Sequence, residues 1–167
     1  ANYGENDYFT THFFRYDGSA LTYLGTIYDV PESFSTEFYG DGTLSATAPL
    51  NLLETRRITM RYGLTESGVQ PIPQDWYTPH INEYAADYNS HKILKDVTVH
   101  TKNSLDSDTV ILTSLDGPVR FPATDNDHWY MVETKDKTIY YLYLTDFSTT
   151  EDGQLTTDVF ENLLLAG

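Results

Sequence analysis

FTTHFFRYDGSALTYLGTIY, Phe9–Tyr28, decides the fold class. Phe9 to Tyr16 is a run of aromatic and β-branched residues, the side chains that pack best on a pleated surface. Asp17-Gly18 supplies positive-φ turn chemistry, and Leu21 to Tyr28 returns as the second arm of a hairpin. Strict alternation places Leu21, Tyr23, Gly25 and Ile27 on one face. The same grammar recurs downstream, where Glu37-Phe38-Tyr39 runs into Gly40-Asp41-Gly42 and Thr43 to Thr47 leads out. Arg57 to Tyr62 alternates cleanly, which predicts Ile58, Met60 and Tyr62 toward a core and Arg57, Thr59 and Arg61 toward water. Glu66-Ser67-Gly68 turns the chain into Val69 to Ile72. Pro71, Pro73 and Pro79 suit edges and connections, because each lacks a ladder donor. Residues 1–78 are therefore predicted to form one meandering antiparallel unit.

From 79 to 95 the alternation lapses into polar residues mixed with Tyr84, Ala85, Ala86 and Tyr88, which predicts a connector holding one helical turn. Five short strand candidates follow: Val97–Thr101, Thr109–Thr113, Val119–Thr124, His128–Glu133 and Thr138–Leu144. The loops between them are short and rich in Asp, Asn, Ser and Gly. Five such strands predict a small barrel, and Val159, Phe160, Leu163 and Leu164 at helical spacing predict a short docked helix over Thr157–Leu165. The expected fold is all-β: an antiparallel sheet unit over 1–78, a connector over 79–95, and a five-stranded barrel with a C-terminal helix over 96–167.

Composition narrows the function classes. Against 25 acidic residues stand 10 basic ones, a formal charge of −15, so the average surface repels phosphate backbones and anionic headgroups. Nucleic acid is not an expected partner. Cysteine is absent, which removes disulfide frameworks, thiolate catalysis and the usual zinc sites. No apolar run reaches the length of a membrane span. The chain opens at Ala1-Asn2-Tyr3 without an initiator Met and is rich in Tyr, Thr, Asp and Asn, a profile read here as that of a trimmed, exported protein.

No residue cluster demands a particular chemistry. His12, His80, His91, His100 and His128 show neither i, i+4 metal spacing nor a zinc-protease pattern. A nucleophile elbow and a glycine-rich phosphate loop are both missing. Asp125, Asn126 and Asp127, or alternatively Asp106 and Asp108, are the candidate calcium ligands, but neither loop matches the twelve-residue calcium loop and turn chemistry accounts for both without metal. No cofactor is expected. The candidate ligand-binding residues are the rings Tyr130, Tyr140, Tyr143 and Trp129, because exposed aromatics offer rigid stacking area at small entropic cost. Along His128–Glu133, alternation separates Trp129 and Met131 from His128, Tyr130 and Val132. Val97, Val99, Val110, Leu112, Val119 and Phe121 are apolar neighbours sufficient to enclose an indole. Trp129 is thus expected in the core and Tyr130 outside, so that Trp129→Ala unfolds the barrel and Tyr130→Ala does not.

The stretch GPVRFPATDNDHWYMVETKDKTIYYLYL, Gly117–Leu144, resembles the bacterial SH3-like (SH3b) modules of exported and cell-envelope proteins through its polar turn followed by Trp129-Tyr130-Met131-Val132. Lys137 and Tyr140 stand where that family has glycines, and Tyr141 stands in place of its closing Trp. The resemblance spans about Lys92 to Leu144, and the N-terminal half looks like the sheet units that precede such modules in secreted proteins and lipoproteins of gut Firmicutes. The resemblance implies an exported or cell-envelope setting, and the aromatic rings Tyr130, Tyr140, Tyr143 and Trp129 lead to the expected function, a non-catalytic extracellular or cell-surface binding module for cell-wall glycopeptide, glycan or a protein partner. The alternatives are a structural spacer or interaction domain of a surface lipoprotein with no small ligand, and behind it a carboxylate-based hydrolase, which would need two closely spaced buried carboxylates in a cleft.

Overall fold

A computed structural model of the chain describes residues 9–29, 36–80 and 90–164. It is built from antiparallel sheet, as the alternating segments predict, and divides into two compact units: Ala1–Pro49 with Arg57–Gln74, and Leu50–Arg56 with Asp75–Gly167. Residues 50–56 group with the second unit, which otherwise begins at Asp75. Among the described residues no helix is long and apolar enough to cross a membrane.

In the first unit β1 (Phe9–Tyr16) and β2 (Leu21–Asp29) pair as the predicted hairpin. Asp17 closes its turn by accepting hydrogen bonds at one carboxylate oxygen from the Ser19 and Ala20 N–H groups at 2.9 and 2.8 Å. Those bonds hold the Asp17 carboxyl down at about 2. Phe13 faces Gly25 and Phe14 faces Tyr23, which leaves Leu24 as a bulge. A bulge of one residue moves every later side chain to the other face. The expected common face of Leu21, Tyr23, Gly25 and Ile27 is thereby broken: Leu21 and Tyr23 lie in solvent, whereas Ile27 is buried.

β3 (Glu37–Phe38), β4 (Thr43–Leu52), β5 (Glu54–Thr65) and β6 (Gly68–Pro71) form a sheet in the order β3-β4-β5-β6. Ile58 and Tyr62 are buried and Met60 half-buried, while Thr59 and Arg61 are exposed and Arg57 half-buried, close to the predicted alternation. Phe13, Ile27, Leu44, Ala46 and Tyr62 make the core of this unit, with Leu24, Met60, Leu64 and Val69 packed against it. Gly68 permits the close approach of β6 to β2, because a Cβ there would sit 2.4 Å from the Leu24 carbonyl oxygen and its φ is +125°.

The second unit carries β7 (Val97–His100), β8 (Thr109–Leu112), β9 (Trp129–Glu133) and β10 (Ile139–Tyr143) in one antiparallel sheet of order β8-β7-β10-β9. The expected fifth strand, Val119–Thr124, joins through isolated bridges, Arg120 to Glu133 and Thr124 to Tyr130. Four strands and this bridged segment thus stand where a five-stranded barrel was expected. The last helix is shorter than predicted. α1 covers only Thr156–Val159, since Phe160 is extended and bridges Ile93, and the Glu161 N–H donates to the Lys92 carbonyl. Backbone pairing with residues 92–93 has replaced the remaining helical turns, and Leu165 lies outside the described residues. So do residues 81–89 of the predicted connector, including Tyr84, Ala85, Ala86 and Tyr88.

Register fixes which side chains share a face. On β10, Tyr141 and Tyr143 oppose Met131 and Trp129, and Tyr141 also opposes His100, while Tyr140 and Leu142 oppose Val132 and Tyr130. The second set turns inward with Val97, Val99 and Leu112. Strand β9 therefore faces opposite to the sequence expectation. Tyr130 is fully buried, and Trp129 is half-buried on the outer face. Phe121, one of the apolar partners expected for Trp129, meets the Tyr130 ring edge-on instead. Its hydroxyl donates to the Leu52 carbonyl at 3.1 Å, so the one polar atom of the buried ring is satisfied.

Candidate aromatic face

The outer face of the second sheet begins at the turn before β9. One oxygen of Asp125 accepts the backbone N–H groups of Asp127, His128 and Trp129 at 2.9, 2.9 and 2.8 Å, and Asn126 takes a φ of +61°. This Asx turn launches the strand with Trp129 outward. It also engages Asp125 as a turn residue. Asn126 and Asp127 are exposed, and among the described residues no group of three or more His, Cys, Asp or Glu is arranged to hold a metal ion.

Beyond the turn the rings follow one another. His128 donates from Nδ1 to the Leu144 carbonyl at 2.9 Å, which fixes its ring, and it stacks on Tyr143 with centroids 5.2 Å apart and planes at 30°. Tyr143 meets Trp129 edge-on at 5.0 Å, and Trp129 meets His100 edge-on at 5.2 Å. His100 is buried and held by Glu151, whose two carboxylate oxygens lie 2.9 and 3.0 Å from Nε2. On the same sheet face Tyr141 contacts Trp76 at 5.8 Å. Trp76, Trp129, Tyr141 and Tyr143 are each half-buried, so part of every ring remains open to solvent. Edge-to-face contacts of this kind hold rings in place before any ligand arrives.

Of the four ring candidates read from the sequence, Trp129 and Tyr143 come together here. Tyr130 does not, being core, and Tyr140 points to the opposite side of the sheet, where it lines a separate cleft. Tyr141, His128 and Trp76 also belong to the face and are not among those four candidates. A period-two reading of Tyr141 and Tyr143 would have found the first, whereas nothing local to Trp76 marks it.

A charged cluster in this unit is buried. Glu54 and His91 are each 1% exposed. Arg56 Nε lies 2.5 Å from one Glu54 oxygen, the Leu164 N–H donates to the other at 3.2 Å, and His91 Nε2 stands 3.9 Å from the pair. Glu54 is the one buried carboxylate among the described residues, so the two buried acids of a hydrolase are not brought together there. Burial pushes the Glu54 carboxyl up, with Arg56 pulling it back. Burial, reinforced by the Arg56 charge, pushes His91 down to about 4 from 6.5.

A pH dependence follows. An unfolded His91 takes up a proton near pH 6.5 that the folded imidazole refuses until about pH 4. Its contribution to stability is complete above 6.5 and is lost as pH falls through that window. Glu54 acts in the opposite sense above 4.5, where the folded carboxyl holds its proton more readily than the unfolded one. Urea denaturation of wild type and His91→Gln from pH 7 to 4 separates the two. Wild type is expected to lose about 3 kcal/mol more than the variant over that range, and parallel curves would mean that His91 titrates freely.

No protein family, curated protein or solved structure matches this chain.

Proposed function

We propose that the second unit is a non-catalytic, extracellular binding module that stacks sugar rings of a cell-wall glycan against Trp129, Tyr143 and Tyr141. The observation that carries this reading is the run of contacting, half-open rings on one sheet face. Apolar faces of pyranose rings pack on such platforms, while the net charge of −15 disfavours polyanionic ligands. The likeness of Gly117–Leu144 to SH3-like modules of cell-envelope proteins points the same way.

Calorimetric titration with a soluble chito-oligosaccharide, alongside co-sedimentation with purified bacterial cell wall, tests it. Trp129→Ala is expected to weaken binding by about tenfold, on the order of 1.4 kcal/mol, and to leave the unit folded. A wild-type protein that binds neither probe would support the spacer alternative and overturn the glycan reading. Undiminished binding by Trp129→Ala would move the site off this face.

A further inference from the structure

On the opposite side of β10 from the aromatic face, Tyr140 lines an open cleft of about 460 Å³ with Val110, Leu112, Asp116, Thr134, Lys135 and Asp136. Val110, Leu112 and the Tyr140 ring give it an apolar floor. Two carboxylates stand at its rim, both set in fixed orientations. One oxygen of Asp116 accepts the Thr113 N–H and hydroxyl at 2.7 and 3.1 Å, completing the cap of the 3-10 turn Ser114–Asp116. Asp136 accepts the Thr134 and Thr138 hydroxyls. These bonds, that of Thr134 first, hold the Asp136 carboxyl below the usual range, so it stays ionised at neutral pH.

Lys135 is the single cation lining the cleft. The nearby Lys137 is engaged by Glu133 at 2.6 Å. Two carboxylates against one ammonium, on a chain of net charge −15, give the cleft a negative potential above an apolar and aromatic floor. The complement of that arrangement is a short alkyl chain ending in a delocalised cation, whose stem lies on Val110 and Leu112 and whose head meets the Tyr140 ring and the carboxylates.

We infer that this cleft binds an alkylguanidinium group, such as an arginine side chain presented by a partner. The site is independent of the glycan reading, because Tyr140 and the Tyr141–Tyr143 pair point to opposite faces of one strand.

Backbone amide NMR of the full chain, titrated with agmatine, tests it. Shifts are expected to cluster on Val110, Leu112, Asp116, Thr134 and Tyr140. Asp136→Asn keeps one of the two oxygens that accept the threonine hydroxyls and is expected to weaken agmatine by about two- to fivefold, while Lys135→Gln strengthens it by a similar factor. Trp129→Ala should leave agmatine binding unchanged, which separates failure here from failure of the aromatic face. Uncharged n-butanol tests the charge. Equal binding of butanol, shifts centred elsewhere, no shifts at all, or a Lys135→Gln variant that binds less well would each overturn the inference. A Gly-Arg-Gly amide peptide that binds at least as tightly as agmatine identifies a partner's side chain as the source, and binding of agmatine alone identifies a free small alkylguanidine.

Discussion

Tyr130→Ala is expected to unfold the second unit at ambient temperature, while Trp129→Ala leaves it folded. The Tyr130 side chain is among the largest that are fully buried, and its ring meets Phe121 edge-on at 5.5 Å, which in turn meets Phe160 at 5.2 Å. Truncating a buried aromatic of this size typically costs about 3–5 kcal/mol through lost transfer energy and the cavity left behind. It also removes the donor that satisfies the Leu52 carbonyl. The whole stability of an ordinary domain is about 5–15 kcal/mol, so the loss approaches the total. Tyr130→Phe isolates the hydroxyl and is expected to cost about 1 kcal/mol. Both tryptophans, Trp76 and Trp129, lie in the second unit, so indole fluorescence during urea denaturation reports on that unit alone in the tyrosine variants. For Trp129→Ala, Trp76 remains as the probe. If Tyr130→Ala lost less than Trp129→Ala, strand β9 would face the other way.

That reversal shows where sequence reasoning stops. Alternation over His128–Glu133 separates two sets of side chains without saying which set is inside. Size argued for Trp129, yet Tyr130 has a phenol that can reach a carbonyl across the core, and Leu52 supplies one from a segment 78 residues earlier. No local pattern encodes that partner. Turn chemistry was more legible: Asp17-Gly18 and Gly40-Asp41-Gly42 both close hairpins where expected, with φ of +97° at Gly18 and +79° and +84° at Gly40 and Gly42. The bulge at Leu24 was not, because a bulge is a one-residue slip that depends on what both strands pack against. The C-terminal segment failed for a related reason. Val159, Phe160, Leu163 and Leu164 do fit a helical period, but Phe160 found a backbone partner in Ile93, and pairing ended the helix after four residues. Two of the five rings of the aromatic face, Trp129 and Tyr143, are visible in the sequence. The remainder is contributed by register and by a contact from residue 76, both products of tertiary structure.

Glu54→Ala is expected to destabilise the second unit by about 3–5 kcal/mol, although Glu54 is far from the aromatic face in sequence and makes no contact with its rings among the interactions described above. The size of the effect comes from what the substitution leaves behind. Arg56 is itself buried, and its guanidinium bonds to the Glu54 carboxylate at 2.5 Å and to the His80 carbonyl at 3.4 Å. Removing the carboxylate takes from the buried Arg56 guanidinium its anionic partner at 2.5 Å and from the Leu164 N–H its acceptor at the same time. Replacing both charges should cost less than replacing one, since a buried ion pair barely offsets the desolvation of its members. Glu54→Leu combined with Arg56→Met is therefore expected to be more stable than Glu54→Leu alone. A double-mutant cycle at pH 7, read by the same indole fluorescence, measures the coupling. The His91→Gln background adds a further check, because neutral His91 sits beside the pair at 3.9 Å and would gain a proton more readily once the Arg56 charge is gone. A single Glu54→Ala loss below about 1 kcal/mol, or a double variant less stable than either single one, would mean that water reaches the pair and that the interior charge is screened.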